Sequence, residues 1–145
     1  MSQPDQSFDN HAKLLPVFHG SLALMIMVPM FYFVFLAVTD FTVERLVLAF
    51  FMLGAVSMGL HARLFPLGVQ DRLIRLEEQM RLHRLLPEDQ HGRIDDISTD
   101  LLIGLRFAPD DEVADLARRI LEGDLADRKA VKQAVKNWRA DNQRI

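Results

Sequence analysis

Three of the five histidines meet at one place if the chain folds back on itself. His19 lies near the start of a first apolar segment, His61 lies near the end of a second, and His11 precedes both. Imidazole rings bind transition metals and exchange protons near neutral pH. A metal-linked or proton-linked site at these three histidines is therefore one hypothesis. The spacing does not demand it, because histidines at a membrane boundary also serve as polar anchors.

Acidic residues cluster in the last third of the chain, at the starts of predicted helices. They are Asp95, Asp96, Asp100, Asp110, Asp111, Glu112 and Asp115. Carboxylates bind hard cations and act as acids and bases, but at a helix start they also cap the first turn and meet the helix dipole. We expect capping. The sequence has no phosphate-binding glycine loop, HExxH or GxSxG motif, so we expect no enzyme activity and no cofactor.

Basic residues recur along the C-terminal segment, for which the sequence predicts a helix over 128–141. Their spacings of three, four and three place them on one helix face: Lys129, Lys132, Lys136 and Arg139. Such a face can contact anionic lipid head groups or simply face water. Nucleic acid is not an expected partner, because the net charge is −3 and aromatic residues do not alternate with the basic ones.

Two long apolar segments must position these groups. No Asp, Glu, Lys or Arg occurs in 14–39 or in 46–62, whereas charged residues are frequent after Pro66. A helix needs about 20 apolar residues to cross a bilayer, and the segments 17–39 and 46–65 both meet that length. Since lipid offers the backbone no hydrogen bonds, a chain of this kind crosses it as helices. The sequence therefore predicts two transmembrane helices and the lipid bilayer as a partner.

The link between these segments is short, which predicts an antiparallel hairpin over 14–65. It consists of Asp40–Glu44, followed by Arg45. More basic residues flank the outer ends of the hairpin than its turn. Under the positive-inside rule, the tail 1–13 and the domain 66–145 are cytosolic, and the turn lies outside.

Small residues and prolines are expected to shape both spans. Small side chains let helix backbones approach closely, and the second span has a stripe of them: Ala55, Gly59 and Ala62. This stripe packs either on the first span of the same chain or on another subunit. Pro29 predicts a kink in the first span, and Pro66 predicts a bend or break after the second.

The half of the chain beyond residue 66 is predicted to be a small cytosolic helical bundle. Proline, glycine and capping residues divide it into helices over 69–86, 100–107, 112–121 and 128–141. No strand pattern occurs in this half, and short helices with apolar stripes pack as bundles. The predicted fold class is therefore an all-α membrane protein: a two-helix transmembrane hairpin followed by this bundle.

The helix over 69–86 carries an apolar stripe at heptad-like spacing. Its members are four, three and four residues apart: Val69, Leu73, Leu76 and Met80. His83 continues the pattern three residues later. The spacing is typical of a coiled coil, and it also suits an amphipathic helix packed on its own domain. The first interpretation predicts a homo-oligomer. An i, i+4 pair of Glu77 with Arg81 is expected to support the helix.

Several short motifs are spread over nearly the whole chain. They are Asn10-His11, Ala62-Arg63, the runs at 69–72, 74–78, 84–87 and 105–108, and Trp138-Arg139-Ala140-Asp141. Together they resemble an uncharacterised bacterial family of short two-span membrane proteins, a domain of unknown function. The resemblance implies an inner-membrane location and supplies no activity. The chain departs from the family at Pro66 and Gly68, where the family has alanine and lysine.

Three functions suit these features. The leading hypothesis is a non-enzymatic adaptor or scaffold, anchored by its hairpin, whose helical domain binds itself or an unidentified protein, because catalytic motifs are missing and apolar stripes are unused. The alternative is an oligomeric pore or transport accessory subunit, with spans from several copies lining a path. The third is the metal-linked or proton-linked site at His11, His19 and His61.

Overall fold

The computed structural model describes residues 7–8 and 16–141, which are mostly helical and include no strand. Two compact units are present, one within residues 13–67 and the other within residues 68–145. This agrees with the all-helical fold class expected from the sequence.

The first apolar stretch is a helix that changes type along its length. Helix α1 spans Pro16–Ser21, residues Leu22–Met27 wind as a π-helix, and α2 spans Val28–Thr39. The N–H of Val28 donates to the carbonyl oxygen of Ala23, five residues back, directly before Pro29. Proline has no N–H to give, and a wider turn before it changes the hydrogen-bond pattern at that point. The irregularity thus lies where the sequence predicts a kink.

Helix α3 spans Val43–Leu85 and contributes to both units. At its start, Arg45 forms an ion pair with Asp40 and donates to the Asp40 carbonyl oxygen. The helix continues through Pro66, so the break predicted there is wrong. Pro66 removes only one of the helix's hydrogen bonds, and the residues on both sides of it remain helical.

Two helical stretches are long and apolar enough to cross a membrane. They are Val17–Thr39 and an 18-residue window within Val43–Leu85, and only 6% of each window is buried. A core helix of a soluble protein would bury most of such a window. Large apolar side chains are instead exposed along both stretches, among them Phe31, Phe35, Phe50 and Phe51.

In the second unit, four short helices and the end of α3 surround one apolar core. The short helices are a 3₁₀ helix at Glu88–Asp96, α4 at Thr99–Leu105, α5 at Asp110–Glu122 and α6 at Arg128–Ala134. The core includes Leu82, Ile94, Leu102, Val113 and Val131, each 0% exposed. The Ser98 hydroxyl and the Asp127 carboxylate accept N–H groups at the starts of α4 and α6. At α5 the expected cap by Asp110 or Asp111 is wrong, because the cap position is Pro109, which has no side-chain acceptor.

The last helix ends seven residues before the predicted boundary at Asp141. Helix α6 stops at Ala134, and Val135 is extended. The N–H groups of Lys136 and Asn137 donate to the Glu112 carboxylate at 2.9 and 3.0 Å. Because a side chain from α5 binds these N–H groups, they do not continue the helical pattern.

Candidate association surface and adjoining cleft

The part of α3 within the second unit has one buried face and one exposed face. Buried on the first are Ile74, Glu78, Arg81 and Leu82. On the second face, four apolar residues are each between 52% and 68% exposed. We call them the association stripe: Val69, Leu73, Leu76 and Met80. The four residues of the predicted stripe thus share an uncovered face of this unit.

A heptad register separates these two faces cleanly. When Leu73 and Met80 take position a, Val69 and Leu76 take position d, which is the seam of a coiled coil. The four buried residues then fall at b, c and f, on the outer side. The short helices therefore pack mainly on the outer side of α3 and leave the four residues of the association stripe exposed.

Arg81, on the buried face of α3, forms hydrogen bonds with residues around the start of α5. Its Nε donates to Asp110 Oδ1 at 2.7 Å, and its other two nitrogens donate to Glu78 Oε2 at 3.1 Å and to the Ala108 carbonyl oxygen at 2.8 Å. The expected pairing of Arg81 with Glu77 is wrong, because Arg81 turns into the domain. Glu77 is exposed and forms no ion pair within the described part of the chain.

The two carboxylates bound by Arg81 have opposite pKa shifts. Burial raises the pKa of Glu78, and the charge and hydrogen bond of Arg81 reduce this shift without reversing it. Asp110 is exposed, and the hydrogen bond and charge of Arg81 lower its pKa. The difference comes from solvation: Glu78 has lost its water, and Asp110 has kept it.

A cleft of about 780 Å³ adjoins the association stripe within the second unit. Leu73 and Met80 are among the residues that line it, together with charged residues of both signs. Much of this charge is already paired: Arg81 with Glu78 and Asp110, and Arg106 Nε with Asp141 Oδ2 at 3.0 Å. The cleft therefore combines apolar side chains of the association stripe with charged side chains that already form ion pairs with one another.

The metal-linked or proton-linked site at the three histidines singled out by the sequence stays a prediction. His11 lies outside the described residues. The ring of His19 contacts that of Phe18, and His61 Nδ1 lies 2.7 Å from the Ser57 carbonyl oxygen. No group of three or more His, Asp or Glu side chains within residues 7–8 and 16–141 is arranged to hold a metal ion.

A different pair of histidines does come together. The ring centroids of His83, near the end of α3, and His91, in the 3₁₀ helix, lie 4.8 Å apart. Sequence reasoning missed this pair, because the two residues are separated by the end of a helix and a proline, where no regular spacing applies. The only sequence signal is the position of His83 at the end of the association stripe.

The small-residue stripe of α3 includes one close approach in the first unit. A Cβ atom added at Gly59 would lie 2.7 Å from Leu22 Cδ1, whereas nothing lies within 4 Å of one added at Gly54. Ala55 is half-buried and Ala62 is exposed. At Gly59, the stripe therefore meets the first apolar stretch of the same chain.

The four basic residues do not share one helix. Lys129 and Lys132 belong to α6, whereas Lys136 and Arg139 follow its end. Lys132 Nζ lies 5.4 Å from the ring centroid of Phe107, and the Arg139 N–H donates to the Phe107 carbonyl oxygen. The helical face predicted from their spacing is therefore wrong. Contact of these residues with lipid head groups stays a prediction.

The comparisons with known proteins place the chain in a family without giving it a role. A family model described as a family of unknown function, DUF6526, matches residues 1–145. No curated protein and no solved structure matches the chain. Because the match covers both apolar stretches and the whole helical domain, the chain belongs to DUF6526, an uncharacterised family, as the motif resemblance predicted.

Proposed function

We propose that this protein is a bacterial inner-membrane scaffold that self-associates through the association stripe. In this proposal the two apolar stretches form a transmembrane hairpin, the short helices form a cytosolic bundle, and both termini are cytosolic. The exposure of large apolar side chains along both stretches supports membrane insertion. The excess of basic residues outside the turn supports the orientation.

The observation that carries the proposal is the exposure of the association stripe, on a helix that continues from an apolar stretch. Contiguous apolar patches on a water-exposed surface mark interaction sites. Complete burial of one such side chain contributes about 1.5–3 kcal/mol. Four of them per copy are a sufficient driving force for association of helices already held at one membrane.

Charge complementarity favours a second copy of the same chain as the partner. In the register of the stripe, Arg72 takes position g and Glu77 takes position e. In a parallel pair, residue g of one helix meets residue e of the other five positions further on, so Arg72 of each copy meets Glu77 of the other. Both side chains are exposed, and neither forms an ion pair among the described residues.

The proposed membrane anchor also selects the parallel orientation. Two copies inserted with the same topology present their α3 helices to the cytosol in the same direction. A twofold axis between them makes the two Arg72–Glu77 contacts equivalent. A parallel homodimer is therefore the smallest assembly that covers the stripe.

The test measures the mass of the full-length chain in lipid nanodiscs. We expect dimers for the wild type and monomers for the double variant Leu73→Asp, Leu76→Asp, because the variant places charges in the seam. Leu85→Asp, on the outer side of the same helix, is the matched control and should remain dimeric. A wild type that stays monomeric at all accessible concentrations contradicts the proposal, and a ring of four or more copies favours the oligomeric pore.

A charge exchange tests the identity of the partner. Arg72→Glu should weaken the dimer about tenfold, because two like-charge contacts replace two pairs worth up to about 1 kcal/mol each. Adding Glu77→Arg should restore wild-type affinity, since the pairs reform with reversed sign. Failure of the second substitution to restore the dimer would exclude the parallel register.

A further inference from the structure

We infer that His83 and His91 from two copies form a site for a transition-metal ion of the zinc class at the end of the association stripe. The inference rests on the proposed parallel dimer. It concerns histidines other than the three that the sequence singled out.

The separation of the two rings within one copy suits a shared ion. Their centroids lie 4.8 Å apart and their planes are inclined by 80°. In a tetrahedral site with Zn–N bonds of about 2.0–2.1 Å, the centroids of two ligating rings are roughly 5 Å apart. His83 and His91 therefore already have the spacing of two ligands.

The hydrogen bond of His91 leaves a ligating nitrogen available. His91 Nε2 lies 2.9 Å from the Leu86 carbonyl oxygen. A carbonyl oxygen only accepts, so Nε2 carries the hydrogen, and the lone pair of the neutral ring is on Nδ1. Histidine ligands in proteins commonly donate their second ring N–H to a backbone carbonyl in this way, which fixes the ring orientation.

A second copy completes the ligand set. His83 follows Met80 by three residues and so takes position d, where residues of a parallel pair face each other across the seam. The two His83 rings then meet at the axis, each beside the His91 of its own copy. Four imidazoles match the coordination number of zinc. One copy alone presents no group of three or more such ligands within its described residues.

The experiment titrates Zn²⁺ into the full-length chain in nanodiscs by calorimetry, with the mass of the same sample measured before and after chelation. We expect one ion per two chains. His83→Ala and His91→Ala should each weaken binding at least tenfold, because even second-shell changes at metal sites cost about 10–100-fold. His61→Ala, a histidine elsewhere on α3, is the matched control and should bind Zn²⁺ as the wild type does.

His91 is half-buried, so its variants need a folding check. Fluorescence of Trp138, the only tryptophan, reports whether the helical domain remains folded. If His91→Ala unfolds it, His91→Gln keeps a donor for the Leu86 carbonyl oxygen and should still lose Zn²⁺ affinity.

The outcomes separate this inference from the proposed function. A wild-type dimer that does not bind Zn²⁺, or whose binding is unchanged by His83→Ala, overturns the metal site and leaves the scaffold proposal standing. One ion per chain also overturns it, because a shared site requires half that number. A monomer that binds no Zn²⁺ overturns both.

Discussion

At the scale of single residues, Arg81 and Glu78 show how a charged pair can be buried in a small apolar domain. Each of these two residues is 3% exposed, and Arg81 also binds Asp110 and the Ala108 carbonyl oxygen. Removing Arg81 would leave the charge of Glu78 desolvated and unpaired, which typically costs about 3–5 kcal/mol. The pair therefore specifies where α3 docks on the domain, even though an apolar pair could be equally stable.

The raised pKa of Glu78 makes the stability of the helical domain depend on pH. Because burial raises this pKa above the ordinary glutamate value of 4.5, the folded state binds more protons than the unfolded state between the two pKa values. The free energy of unfolding therefore falls as pH rises through that window. Asp110 acts in the opposite direction and at lower pH, since its pKa lies below 3.8.

We predict that Glu78→Gln reduces the fall in the free energy of unfolding as pH rises above 4.5. Glutamine resembles the protonated acid, so the variant should be at least as stable as the wild type at pH 8, with a smaller difference at pH 5. Urea unfolding in nanodiscs, followed by Trp138 fluorescence, measures this, since Trp138 packs on Phe107 with ring centroids 4.7 Å apart. Glu88→Gln, at an exposed position, should keep the wild-type dependence. A marked loss of stability at pH 8 would mean that the ionised pair is favourable overall.

At the scale of helices, residue spacing predicted the presence of the helices better than it predicted the residues at which they end. Prolines, glycines and caps separate the short helices close to the predicted boundaries, because those signals act within a few residues. Helix α3 continues through Pro66, and α6 stops at Ala134. The end of α6 depends on Glu112, which is distant in sequence and accepts the N–H groups of Lys136 and Asn137.

One close contact between the two apolar stretches lies at Gly59 of α3. Gly59 lies against Leu22 so closely that a side chain there would displace the leucine. Small residues at such positions let helices pack at the short end of the usual range of about 8–10 Å between axes.

We predict that Gly59→Phe increases the separation of the two stretches by about 2 Å, from the short to the long end of that range. Gly54→Phe is the matched control and should have no such effect, because a Cβ at Gly54 has nothing within 4 Å. Spin labels at the exposed residues Val17 and Leu64, measured by double electron–electron resonance in nanodiscs, report the distance. Equal distances in both variants, with assembly lost only in Gly59→Phe, would show that Gly59 packs between subunits.

At the scale of the whole molecule, the chain combines an apolar half with a charged half. The apolar stretches expose side chains that only lipid or other protein can cover, and the second unit buries its own core. The proposed hairpin explains this division, because a different solvent surrounds each half.

We predict that a cysteine at Phe41 is on the outer side of the inner membrane and that a cysteine at Ala126 is in the cytosol. The natural chain has no cysteine, so each single variant offers one labelling site, and both positions are exposed. A membrane-impermeant maleimide applied to intact cells should label Phe41→Cys at once and Ala126→Cys only after lysis. The reverse pattern would invert the topology, and recovery of the full-length chain without detergent would exclude a membrane anchor.

The sequence by itself determined most of the helical segments, which of them are apolar enough for lipid, and the spacing of the residues in the association stripe. Those properties follow from residue types and from spacings within about two turns of a helix. Only the tertiary structure decided that the stripe is exposed, that Arg81 binds Asp110 and that His83 lies beside His91. These contacts join residues far apart in sequence, so they depend on how the whole domain packs, which no local spacing specifies.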